Sequence, residues 1–294
     1  METTPRLQFI ERDFAIRTLS IFEECASEAR RSLREAIRDS MQGAYSSLAG
    51  HLVQVARYRY VVGKNIAEVR EPLVAALSSY LEVFRLYGTE RRKFPAIDMS
   101  ISSVEPIEDT YARRIVAGEA DSGIDYAYTG SGPSRRALEL AVVVGSRTTR
   151  EQLAGIITGV METELSRDSE YWSSELEPAI VGCIAARLKR AAHGVMSFKD
   201  GRVQGNEKVL LYESQTLVEI SEGSKAAFLR CLEEWLLWNE SRAKDRANLD
   251  RSEFFFSIPA LASCELAIEA GIVDWDDLPV NNVYLPIGLL RSDD

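Results

Sequence analysis

The chain has 294 residues, 46% of them hydrophobic, and a formal net charge of -10. That apolar share is enough for a sizeable core, and an acidic surface repels phosphate backbones, which argues against direct nucleic-acid binding. The four cysteines are widely spaced and form no CxxC pair, so buried free thiols are expected rather than a disulfide framework or a zinc site.

The charge is uneven. Residues 1–99 carry 15 basic and 13 acidic side chains, against 20 and 32 in the remainder, so the acidic excess lies beyond the first third. It serves solubility, or it steers a basic partner. The start, METTPRLQFIERDF, has no apolar leader region, and no stretch approaches membrane-spanning length. A cytosolic protein with no membrane partner is expected.

Taken in order, Phe14, Ile21, Phe22, Cys25, Ala29, Leu33 and Ile37 step at a helical period and predict a first helix with one buried stripe. A second follows Gly43, through Leu48, Leu52, Val55 and Val62. A third carries Leu73, Leu77, Tyr80, Leu81 and Phe84, with Pro72 near its start and Gly88 past its end. These make an N-terminal helical bundle over residues 1–118. The Gly/Ser-bearing stretch 119–133 predicts a connecting loop, with Gly130-Ser131-Gly132 as a turn.

Residues 134–290 predict helical hairpins. Ser134 can cap RRALELAVVVG, and Thr148 with Glu151 matches a capping box, as does Ser174 with Glu177. Two runs share a plan of apolar helix, Gly-Ser step and second apolar helix, around residues 145–146 and 223–224. They are too few and too far apart for a solenoid signature, yet they support stacked helical hairpins, TPR-like in plan. Strand signals are nearly absent. The expected fold is all-α, in two regions or one compact domain.

Chemistry is sparse. His51 lies on an apolar helix face, and His193 sits in a last turn, where a cation suits the helix dipole. No HExxH, di-iron ExxH pair or Cys/His cluster is present, so neither metal nor other cofactor is expected. TGSGPSRR lacks phosphate-loop spacing. Trp235 and Trp238 share a helix side with Phe228, Cys231 and Leu232, and read as core. Phe254-Phe255-Phe256 cannot all face inward from a regular helix, so an irregular approach to a helix at Pro259 is expected. Asp274, Trp275, Asp276 and Asp277 read as a solvated loop or as a contact for a basic partner.

The C-terminal cassette, PALASCELAIEAG followed by a short acidic loop and NNVYLPIGLL, resembles the bacterial immunity proteins of the family called immunity protein forty-nine. RALELAVVVGSRTTREQLAGII is similar to that family's middle helices, and the likeness spans roughly residues 134–290. It implies an all-helical protein of a polymorphic toxin system, with no catalytic residues, that neutralises a cognate toxin. Tyr284, Leu285 and Pro286 carry over as a structural clasp. The expected partner is a toxin domain, such as a basic nuclease, met by Asp274, Trp275, Asp276 and Asp277 together with Glu119, Asp121, Asp125, Tyr126 and Tyr128 of the central loop. The alternatives are a TPR-like adaptor for a peptide or regulator, and a helical enzyme whose mark is a deep pocket with converging carboxylates.

Overall fold

The computed structural model describes residues 7, 9–34, 41–91, 130–165, 176–185, 208–248 and 251–290. Among them every regular element is helical. The all-α expectation holds.

Helix α1 (Arg12–Arg34) buries Ala15, Leu19, Ala26, Ala29 and Leu33, a stripe stepping by three and four residues. Ile21, assigned to the stripe from sequence, is 56% exposed. Its neighbour Phe22 is the residue packed on the core, and adjacent helical positions point about 100° apart. Helix α2 (Met41–Val61) packs against both α1 and α3 (Ile66–Arg91), and it begins ahead of Gly43 rather than after it. Beyond α2, Gly63 turns the chain at φ 84. Lys64 N–H then reaches the Arg59 carbonyl at 3.0 Å and Gly63 N–H the Tyr60 carbonyl at 3.1 Å, satisfying two helix-end acceptors.

Asn65 opens α3 with a capping box. Its Oδ1 accepts from Glu68 N–H at 2.9 Å, and the Glu68 carboxylate accepts from Asn65 N–H at 3.2 Å. The helix outruns its sequence punctuation, because Pro72 and Gly88 both lie inside it. Proline has no N–H for the carbonyl one turn back, here that of Glu68. Arg59 fills the gap, Nη1 donating to the Glu68 carbonyl at 3.1 Å.

Helices α4 (Ser131–Val144), α5 (Arg147–Leu165) and α6 (Leu176–Ala185) pack on one another. Ser131 and Gly132 belong to α4 rather than to a turn, and Ser134 is a buried position within the helix, not its cap. The cap of α5 also lies upstream of the expected Thr148. Ser146 Oγ accepts from Thr149 N–H at 3.1 Å, while Glu151 pairs with Arg147 at 3.1 Å instead of closing a box. Ser174 of the second expected box, Ile37 of the first stripe and His193 fall outside the described residues.

Helices α7 (Lys208–Ser221) and α8 (Lys225–Lys244) form a hairpin across Gly223-Ser224, as Gly145-Ser146 joins α4 to α5. Phe254, Phe255 and Phe256 are all fully buried on a 3-10 turn and bend that lead into α9 (Ile258–Glu269). Each ring meets a different partner edge-on: Trp238 at 5.7 Å, Tyr58 at 5.2 Å and Tyr60 at 5.4 Å. The irregular aromatic approach is therefore present, and it ties α8 and α2 to the start of α9. Ser257 caps that helix by accepting from Ala260 N–H at 3.2 Å, with Pro259 in the first turn. Helix α9 then packs on both α4 and α7, while α4 also packs on α3, so one core runs through the described helices.

Candidate functional site

The acidic loop near the C-terminus is built on a single 3-10 turn, Trp275–Asp277. Val273 and Leu278 are buried on either side and anchor it. Asp277 is spent internally: its carboxylate accepts from Asp274 N–H at 2.8 Å and pairs with Lys225 Nζ, at the start of α8, at 2.6 Å. The Lys225 contact, then that backbone bond, holds the Asp277 carboxyl below its ordinary range. Trp275 is half-buried against the core. Asp274 and Asp276 stay exposed, and so do Val280 and Val283 a few residues on. Asp276 thus faces solvent, Trp275 and Asp277 hold the loop in place, and Asp274 does both, since its exposed carboxylate also caps the turn at Asp277 N–H.

Tyr284, Leu285 and Pro286 are buried. The Tyr284 carbonyl accepts from Ser257 N–H at 3.4 Å, and the Val283 carbonyl accepts from the Tyr60 hydroxyl at 2.6 Å. Burial pushes the Tyr284 phenol up to about 12. Arg70 adds a tie that sequence reading did not single out. Its guanidinium bonds the Leu289 carbonyl and donates to the Val144 carbonyl at the end of α4 at 3.2 Å. Glu119, Asp121, Asp125, Tyr126 and Tyr128 lie outside the described residues.

A second feature was not anticipated. A cleft of about 480 Å³ opens between α2, α4 and the segment leading into α9. Along α2 its wall is the face formed by Ser46, Gly50, Val53 and Arg57, spaced by three and four residues. From α4 come Arg135, Arg136 and Glu139, and from the aromatic approach Arg251 and Glu253. Arg135 faces two carboxylates, Glu213 of α7 at 2.7 Å and Glu139 at 3.0 Å. Burial, opposed by Arg135 and reinforced by nearby Glu213, drives the Glu139 carboxyl well above its ordinary range. Arg251 pairs with Glu253 at 2.5 Å and lies over the Phe254 ring at 5.3 Å.

Arg57 differs in having no ion pair among the described residues. Its Nε, like that of Arg135, is shut off from solvent without a hydrogen-bond partner there, but Arg135 has two carboxylates at its other nitrogens and Arg57 has none. Burial lowers its guanidinium to about 10 despite the attraction of Glu253 and Glu139. The sequence signal was an arginine between Ala56 and Tyr58 on a helix otherwise read for its apolar stripe, and periodicity alone gave it no special weight.

His51 is structural in its contacts, 3.3 Å from Ser47 Oγ through Nε2 and tilted against the Phe22 ring, and burial lowers its imidazole. Among the described residues no group of three or more His, Cys, Asp or Glu side chains is placed to hold a metal ion. None of the described helices is long and apolar enough to cross a membrane. No family model, curated protein or solved structure matches the chain.

Proposed function

We propose that the chain is an immunity protein, which neutralises a cognate bacterial toxin by stoichiometric binding and occlusion rather than by catalysis. The observation that carries the reading is the closing loop. It offers two exposed carboxylates, Asp274 and Asp276, beside exposed Val280 and Val283, on a backbone pinned by Asp277–Lys225 and by buried Val273 and Leu278. Carboxylates on an acidic protein attract a basic partner and speed its capture, while apolar groups desolvated at the centre of a contact slow its release. A loop already held in shape loses little conformational entropy on binding. Glu119, Asp121, Asp125, Tyr126 and Tyr128 complete the proposed contact set.

The test is co-purification of the tagged chain from its native host across a salt gradient, followed by affinity measurement with the partner found. One toxin-like protein held one-to-one is expected, released as salt rises. The double substitution Asp274→Lys, Asp276→Lys should weaken the complex at least tenfold with only a small fall in melting temperature, because the Asp274 carboxylate caps a single exposed 3-10 turn and Asp276 points to solvent. Unchanged affinity would remove this loop from the interface. Many weak partners instead of one would favour a peptide-binding adaptor, and no partner at all would overturn the immunity reading.

A further inference from the structure

The cleft between α2 and α4 sets a positive excess inside an acidic protein. Its four arginines face Glu139 and Glu253, with Glu213 behind Arg135. Arg251 is matched by Glu253, and Arg135 by Glu213 and Glu139. Arg57 and Arg136 have no carboxylate within ion-pair distance among the described residues. Arg136 is exposed and lies beside the Tyr80 hydroxyl, at the mouth, whereas Arg57 has an Nε that is buried and unpartnered. A buried donor without an acceptor destabilises a fold unless something supplies the acceptor. The remaining walls combine an apolar strip, with Val53, Leu140, Val209 and Ile258, and the polar side chains of Gln54 and Asn239. The volume falls in the range of small-molecule sites, which are apolar clefts with a few fixed polar groups.

We propose that this cleft binds a small organic anion, a carboxylate or phosphate on an apolar body, with Arg57 and Arg136 taking the charged head and the α2–α4 walls taking the body. A guanidinium presents parallel donors that match two oxygens of either head group, so the same residues serve both chemistries. Gly50, on the same α2 face as Arg57, supports the assignment. It lines the cleft, and a Cβ built there meets nothing within 4 Å, so the space before it is open. None of its lining residues belongs to the acidic partner loop, and its test needs no toxin.

The experiment is isothermal titration of the full chain with benzoate, phenyl phosphate, inorganic phosphate and neutral benzyl alcohol. Saturable one-site binding of benzoate or phenyl phosphate is expected, at least tenfold tighter than inorganic phosphate or benzyl alcohol, and the preferred anion identifies the head group. Gly50→Leu fills the cleft while replacing a helical glycine by a better helix former, so it should fold and weaken binding at least tenfold. Arg57→Met should weaken binding as much. It should also melt no lower than the parent chain without ligand, because it removes an unsatisfied buried donor. Absence of saturable binding by either organic anion would overturn the proposal, and so would equal binding by parent and Gly50→Leu chains, a result that stands even if Arg57→Met fails to fold.

Discussion

Pro72 and Arg59 form a pair that neither residue discloses alone. Proline inside a helix deletes a donor, and here a side chain from the preceding helix replaces it at the Glu68 carbonyl while also pairing with Glu71 at 2.7 Å and Glu23 at 3.2 Å. Arg59→Ala should therefore cost about 1–3 kcal/mol, the range for leaving a partly buried acceptor unsatisfied. Restoring the backbone donor with Pro72→Ala should recover part of that loss, and a urea double-mutant cycle should show coupling of about 0.5–1.5 kcal/mol. Independent effects of the two substitutions would mean that the arginine acts only through its ion pairs. Glu139 leads to a prediction in pH. Its folded carboxyl sits above the unfolded value of 4.5, so the folded state holds the proton longer. Stability from this group is complete below the unfolded value and is lost as pH rises through the folded one. Glu139→Gln abolishes that titration, so its stability relative to the parent should improve steadily from pH 4.5 upward in urea melts. A constant difference across that range would show that Glu139 titrates alike in both states.

At the scale of elements, two Gly-Ser steps with one sequence plan use glycine for two reasons. Gly223 adopts φ 72, where a Cβ is strained although nothing stands in its way. Gly145 has ordinary extended backbone at φ -85, yet a Cβ there would lie 2.5 Å from the Ala141 carbonyl oxygen and 3.1 Å from Leu77. Gly223→Ala should cost about 1 kcal/mol. Gly145→Ala should cost more, about 2–3 kcal/mol, because backbone rather than a flexible side chain must move. Thermal melts of the two variants check the order, and the reverse order would mean that the α4–α5 junction is looser than its contacts imply. Helix boundaries show the same dependence on neighbours. Pro72, Gly88, Ser134 and Thr148 read as punctuation in the sequence, yet all four lie within helices, because a helix end is settled by which backbone groups find partners elsewhere.

For the whole molecule, the aromatic approach to α9 is the joint between early and late parts of the chain. Phe255 packs on Tyr58, Phe256 on Tyr60, and the Tyr60 hydroxyl holds the Val283 carbonyl. Phe255→Ala removes a fully buried ring and should cost about 3–5 kcal/mol. Because one core spans both regions, tryptophan fluorescence, whose reporters all lie beyond residue 171, and far-ultraviolet dichroism should still move together in this variant. Two separated transitions would show that residues before and after the segment 119–129 unfold as independent units.

Composition and hydrophobic period were sufficient for the helical class, for the buried roles of Trp235 and Phe228, and for the irregular path of Phe254-Phe255-Phe256, because local propensity and the amount of apolar surface to be hidden dictate these. The same sequence left Ile21 on the wrong side of α1, since a stripe one position off has nearly the same period and only the facing helix selects between them. It also left Arg57 unremarked. What makes that arginine distinctive is the set of neighbours around its guanidinium, drawn from α3, α4 and the approach to α9, and residues so far apart in the chain acquire a common environment only when the helices pack.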